Sequence, residues 1–170
     1  RGQGNDDALA SIYASSLTGM GALPAGLGLS ETAFAALMDF HFPGYGYRRQ
    51  LPVIPVQLDP VREEERAELV ALMRAHRAGD CPSELWMATI VATACMAHDH
   101  LWQDLGLWSR DDLTALMMRN FPALAGQNTR NMKWKKFLYK QLCETEGIYT
   151  CRAPSCEVCV DYAQCFGPED

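Results

Sequence analysis

Helix start and stop signals recur along this chain and constrain its fold more than any other feature. Side chains that cap helix N-termini come before helix-patterned stretches at Ser30, Asp59 and Ser109, and two further helices are expected to start at Pro82 with Ser83 and at Asn128. Pro60 at a first helical position and Asp112 three residues after Ser109 strengthen two of these starts. With a first helix from Asp6, the signals predict about six helices and no strand pair. We therefore expect an all-α fold.

Glycines and prolines set the predicted boundaries. The fourth helix is expected over about residues 83–102 and the last over 128–147, because a glycine follows or closes each pattern. Residues 44–60 are rich in proline and indicate an extended connector, with a short strand at 53–56 as the alternative. The four tryptophans all lie next to apolar residues and are expected in the core.

The length of the chain bounds its domain organisation. With 170 residues and 48% hydrophobic content, it can bury one core and is too short for two ordinary domains. Residues 149–170 lack helical periodicity. We therefore predict a helical domain over residues 1–148 and a cysteine-rich tail over 149–170 that packs on or near it.

Charge and hydropathy exclude some partners and indicate a compartment. The formal net charge of -6 is unfavourable for a nucleic-acid or anionic-membrane binder, since clustered Lys and Arg hold those partners. The longest apolar run, over residues 85–97, is too short to span a bilayer, and the first residues show no secretory signal. We expect a cytoplasmic protein in which the thiols stay reduced.

Four of the seven cysteines form a single short segment. Cys151, Cys156, Cys159 and Cys165 follow the pattern C-x4-C-x2-C-x5-C. The segment has no apolar cluster to fold it, so a bound metal is expected to supply its order. Closely spaced thiolates in one loop are typical of iron-sulfur ligation, whereas structural zinc usually joins two cysteine pairs across a longer element. The pattern favours an iron-sulfur cluster over zinc, and a disulfide or an empty tail remains the third alternative.

Three further side chains are candidate additional ligands. Cys143 precedes the segment by eight residues, and His98 and His100 follow the apolar helix. Imidazole and thiolate both bind iron and related metals. The structural alternatives are a buried apolar cysteine and histidines that interact with the helix C-terminus.

A basic stretch offers a candidate docking surface. Lys133, Lys136 and Lys140 share one face of the predicted last helix, with no acid in the stretch 130–140. In an acidic protein, this face is suited to an oxyanion or an acidic partner, and a solvated helix face is the alternative.

Long stretches of this sequence resemble one family. WKKFLYKQLCETEG and CRAPSCEVCVDYAQCFGPED look like the C-terminal half of NifQ, and DHLWQDLGL and RNFPALAGQN are similar to it as well. The resemblance is specific over residues 85–170 and looser upstream.

The resemblance implies a nitrogen-fixation accessory protein that carries a molybdenum-iron-sulfur cluster. It implies that Cys151, Cys156, Cys159 and Cys165 are the cluster ligands. It also implies that the protein takes molybdenum from molybdate and supplies it to the assembly of the nitrogenase iron-molybdenum cofactor, whose scaffold and reductase components are its partners. No catalytic turnover is implied, so we do not expect an enzyme. An iron-sulfur electron-transfer module and a zinc-stabilised interaction domain are the alternative functions.

Overall fold

The computed structural model describes residues 3–46, 56–145 and 165–166. This described part is all-helical and contains no strand, which confirms the predicted class. It contains eight helices: α1 Asp6–Thr18, α2 Glu31–His41, α3 Pro60–Ala75, α4 Ser83–Cys95, α5 Leu101–Leu105, α6 Arg110–Asn120, α7 Pro122–Ala125 and α8 Trp134–Thr145. Of the candidate strand over 53–56, only Val56 lies within the described residues, and it is not in a strand.

Helix α4 lies at the centre of the core. It packs against α2, α3 and α5, and α3 also packs against α8. Met87, Ile90 and Val91 in α4 are completely buried. A helix that is apolar on all sides belongs inside a domain, because no face of it can be left to water at low cost.

The predicted caps account for three helix starts. The side chains of Ser30, Asp59 and Ser109 each accept a hydrogen bond from the backbone N–H three residues later, at 3.2, 3.0 and 3.1 Å. Each bond satisfies a donor that the first turn of a helix leaves unpaired, which is worth about 1 kcal/mol. The predicted starts of α2, α3 and α6 are therefore confirmed.

The predicted single helix in place of α4 and α5 is wrong, since residues 96–100 interrupt it. The carbonyl of Met96 accepts a hydrogen bond from Nη2 of Arg62 at 2.7 Å. The carbonyl of Ala97 accepts one from Nζ of Lys135 at 3.1 Å. Cations from two other helices thus take the carbonyls that a continuing helix would have used, and a positive charge at a helix C-terminus is favourable.

The predicted start of the last helix at Asn128 is also wrong, because α8 begins at Trp134. Both polar atoms of the Asn128 side chain bond to the backbone of Met132 at 2.8 Å, which closes a loop. Asn131 has a left-handed backbone, with φ of 54°, within this loop. The short helix α7, with Pro122 at its first position, was not predicted.

One tryptophan departs from the expected core positions. Trp134 is buried, and Trp86 and Trp102 are partly buried against the core. Trp108 is 71% exposed. The expectation of a core position is wrong for Trp108.

Candidate functional site

Cys165 is the predicted ligand whose position the structure describes. Its carbonyl accepts a hydrogen bond from the N–H of Lys133 at 2.8 Å. Lys133 directly precedes α8, and its own carbonyl accepts from the N–H of Phe137 at 2.9 Å. The backbone of Cys165 is therefore held at the N-terminal end of α8, and its side chain is half-buried.

The next residue anchors this attachment in the core. Phe166 is 4% exposed and belongs to the main hydrophobic cluster, and the guanidinium of Arg130 lies 5.4 Å from the centre of its ring. The loop before α8 is held in turn by Nη2 of Arg110, which donates to the carbonyls of Asn131 and Met132, both at 3.0 Å. Cys165 is thus positioned by packing on one side and by a braced loop on the other.

The two ends of α8 separate Cys143 from Cys165. Cys143 is half-buried in the last turn of the helix, and ten residues of helical rise place it about 15 Å along the axis from Lys133. A small metal cluster does not extend over that distance. The geometry therefore favours a ligand from another element as the neighbour of Cys165, and the assignment of Cys143 stays a prediction.

The loop that carries the candidate histidines is attached to the same end of α8 as Cys165. Lys135, two residues after the one that holds Cys165, donates to the carbonyl of Ala97 at 3.1 Å. His98 is exposed in this loop, and His100 is half-buried at the start of α5, where its N–H donates to Oε1 of Gln103 at 3.2 Å. The loop that carries both histidines is therefore held against the first turn of α8 through the side chain of Lys135.

Lys135 and Asp104 form a buried ion pair that the sequence analysis missed. The side chain of Asp104 is 4% exposed and that of Lys135 is 18% exposed, and Nζ of the lysine contacts Oδ2 of the carboxylate. The helical register could have indicated this pair, because Lys135 lies on the same face of α8 as Leu138 and Leu142, which are buried. A lysine on a core-facing position requires a buried partner.

A buried thiol lies beside this pair. Cys95 is 3% exposed, and burial raises the pKa of its thiol to about 12 against the lowering influence of Lys135. Burial also raises the pKa of Tyr139, whose hydroxyl hydrogen-bonds to Glu65. The Cys95 thiol therefore stays protonated at neutral pH and is suited to packing, since metal binding needs a thiolate.

The three lysines of the proposed docking face lie along α8 and just before it. Lys136 and Lys140 are exposed, and Lys133 is half-buried. Nζ of Lys140 lies 3.4 Å from the carboxylate of Glu144, an exposed pair that contributes little to stability. Because the backbone of Lys133 bonds to that of Cys165, the predicted cationic face begins beside this cysteine.

The remaining predicted ligands, Cys151, Cys156 and Cys159, lie outside the described residues. Within residues 3–46, 56–145 and 165–166, no three His, Cys, Asp or Glu side chains converge in a way that could hold a metal ion. Among these same residues, no helix has the length and the apolar character needed to cross a bilayer.

Fold and site together define an all-helical protein whose C-terminal cysteine segment ends on the core. The family model described as NifQ matches residues 8–167. Protein NifQ of Azotobacter vinelandii is 47% identical over 167 residues, which cover 93% of this chain and 86% of the relative. Protein NifQ of Rhodobacter capsulatus is 40% identical, with 89% and 81% covered, and that of Klebsiella pneumoniae is 39% identical, with 87% and 90% covered. The chain belongs to the NifQ family of nitrogen-fixation proteins. No solved structure matches it.

Proposed function

We propose that this protein carries a molybdenum-iron-sulfur cluster on its cysteine segment and donates molybdenum to the assembly of the nitrogenase iron-molybdenum cofactor. The cluster is cargo, so the protein is a carrier and not an enzyme. The observation that carries the proposal is the attachment of Cys165 to the start of α8. It fixes one of the four spaced thiols to the core, at the end of the helix that the histidine loop also contacts.

The chemistry of the donor set fits this cargo. Thiolate is the usual ligand of iron in iron-sulfur clusters, and four thiols come from one short segment. Anchoring the last thiol lowers the entropy that the free segment would lose when it closes on the cluster. A segment attached to the core through Cys165 and Phe166 can release cargo without unfolding the helical domain, because local opening costs less than global unfolding.

The two histidines of the loop attached to α8 are proposed to help with molybdenum. His98 and His100 lie in the loop that Lys135 attaches to α8. Imidazole is a ligand of intermediate softness and can replace oxygen ligands of an incoming metal without competing strongly for iron held by thiolates. Cys143 remains a weaker proposal, because it lies at the other end of α8.

The cationic face is proposed to attract molybdate or an acidic assembly partner. Lys133, Lys136 and Lys140 begin beside Cys165, in a chain of net charge -6. Local positive charge raises the concentration of an oxyanion near the site, and the effect is screened by salt. Replacing all three by Gln is expected to lower molybdenum loading at low ionic strength with no change in iron content. Equal loading of molybdenum in the variant would remove this role.

The proposed partners are the scaffold and reductase components of cofactor assembly, in the cytoplasm, with no role for nucleic acid or membrane. The test is metal analysis of protein produced without oxygen in cells supplied with molybdate. We expect iron, sulfide and molybdenum in the native protein and their loss in Cys156→Ser. Cys95→Ser is the matched control, because Cys95 lies buried in α4 and is expected to retain all three. Zinc alone in the native protein would contradict the proposal.

A further inference from the structure

One tryptophan stands out on the surface of the described part of the chain. Trp108 is 71% exposed, whereas tryptophan is among the most buried side chains on average. Leu17 and Met118, on α1 and α6, are also exposed, at 37% and 48%. Exposed apolar side chains that group together indicate an interaction site, while single ones need no explanation.

The position of the Trp108 indole is fixed. Its Nε1 donates to Oγ of Ser11 on α1 at 3.2 Å. The preceding turn is fixed as well, because Oγ of Ser15 donates to the carbonyl of Gly106 at 2.7 Å. A Cβ on Gly106 would lie 2.3 Å from that of Ser15, and the φ of 74° also favours glycine. The ring is therefore held outward on a rigid turn, which lowers the entropy that a binding partner would have to offset.

The ring lies where the residues before α6 meet α1. Ser11 contacts Trp108 before α6, while Asn5 before α1 bonds through Nδ2 to Oδ1 of Asn120, the last residue of α6, at 2.7 Å. Gly106 contacts α1 at Ser15, and Trp108 contacts it at Ser11. Residues 106–108 therefore run along α1 toward its first turn. The surface thus combines exposed positions of α1 and α6 with the indole at one end.

Carboxylates border this surface. Asp7 lies one helical turn before Ser11 on the same face of α1, and Asp111 lies in the first turn of α6, three residues after Trp108. Both are exposed, and within the described residues neither forms an ion pair. Both aspartates lie in the first turn of a helix, where the helix dipole favours a negative charge. The dipole accounts for these two acids, but it does not account for the exposed indole beside them.

We propose that this surface, defined by Trp108, Asp7, Asp111 and the exposed positions of α1 and α6, docks a basic amphipathic segment of a partner protein. The indole offers a central apolar anchor and a ring face for an arginine or lysine of the partner. The carboxylates attract the cations that flank it and speed the encounter. Arg110, which lies between Trp108 and Asp111, bonds to the loop before α8, so this surface adjoins the loop that holds Cys165. The proposal rests on exposed side chains of α1 and α6 and does not depend on the cargo.

The test is site-specific photocrosslinking of the full chain in nitrogen-fixing cells. A photoreactive residue replaces Ala14, which is exposed one turn beyond Ser11, and the control position is Val61 on α3, which is 74% exposed. We expect a cross-link to a different protein at position 14 and not at 61, with the cross-linked peptide rich in lysine and arginine. Its yield should fall about tenfold or more with Trp108→Ala, as on loss of a central anchor, and should fall with Asp7→Asn and Asp111→Asn combined.

Four outcomes would overturn the proposal. The first two are a yield at position 14 no greater than at position 61 and an adduct that joins two copies of this chain. The other two are a cross-linked peptide without basic residues and an unchanged yield with Trp108→Ala. Circular dichroism and melting of each variant check that the fold is kept. Iron and sulfide content, which should not change in these variants, separates this proposal from the function of the cysteine segment.

Discussion

The backbone N–H of Lys133 donates to the carbonyl of Cys165 at 2.8 Å, so the last cysteine of the segment is attached where α8 begins. This single bond gives the C-x4-C-x2-C-x5-C segment a fixed end on an otherwise helical core. The adjoining Phe166 places a buried ring in the core as a second point of attachment. The attachment leads to predictions about retention of the cargo, and the surrounding packing leads to predictions about stability.

Phe166→Ala should loosen the cysteine segment more than it destabilises the domain. Truncating a buried phenylalanine costs about 3 kcal/mol or more, and because Phe166 anchors the cysteine segment, we expect the loss to appear as local detachment. The variant should release iron to a ferrous chelator faster than the native protein, with a small change in melting temperature. Phe166→Leu is the matched control and should release iron at nearly the native rate. Identical release from both variants would contradict an anchoring role.

Lys135→Met should destabilise the whole domain. It would leave the Asp104 carboxylate, 4% exposed, without its cation, and breaking a buried pair in this way costs about 3–5 kcal/mol. The double variant Lys135→Met with Asp104→Leu should lose less than the sum of the two single changes, because no uncompensated charge remains. Urea unfolding of the four proteins measures this coupling. Additive losses would show that the pair does not interact energetically.

The buried thiol of Cys95 predicts a loss of stability at alkaline pH. Burial raises its pKa from 9.0 to about 12, so the folded protein holds this proton more tightly than the unfolded chain does. Its contribution to stability is therefore complete below pH 9 and is lost as the pH rises toward 12, with a slope approaching about 1.4 kcal/mol per pH unit. Cys95→Ala should show a shallower decline in this window, measured by urea unfolding. Parallel pH profiles would contradict the raised pKa.

The candidate histidines should affect molybdenum more than iron. If His98 and His100 assist the incoming metal, His98→Gln with His100→Gln should lower the ratio of molybdenum to iron in anaerobically prepared protein while iron and sulfide stay near native levels. His76→Gln is the control, since Nδ1 of His76 bonds to the carbonyl of Leu72 at the end of α3, in another helix. An unchanged ratio in the double variant would exclude the histidines from loading.

Local signals made much of the helical fold predictable. The caps at Ser30, Asp59 and Ser109 act within four residues, so the sequence around each contains the whole cause of the helix start. The break after α4 has no such local cause. It depends on Arg62 and Lys135, which reach the carbonyls of Met96 and Ala97 from helices far away in the sequence.

The candidate site divides in the same way. The spacing of the cysteines is visible in the sequence, whereas the attachment of Cys165 to Lys133 across 32 positions is a tertiary contact. The ion pair of Lys135 with Asp104 joins residues 31 positions apart, so it is a tertiary contact as well. Trp108 shows the opposite error, because apolar neighbours in sequence did not bury it.

Transfer of isotopically labelled molybdenum tests the central claim most directly. The protein is loaded with labelled molybdate in cells, purified without oxygen, and mixed with the unlabelled scaffold of cofactor assembly, and the label on each protein is followed with time. The account predicts that label moves to the scaffold from the native protein, while Cys156→Ser has little label to give. Label that stays on the native protein throughout, with its cluster intact, would contradict donation and favour an electron-transfer module.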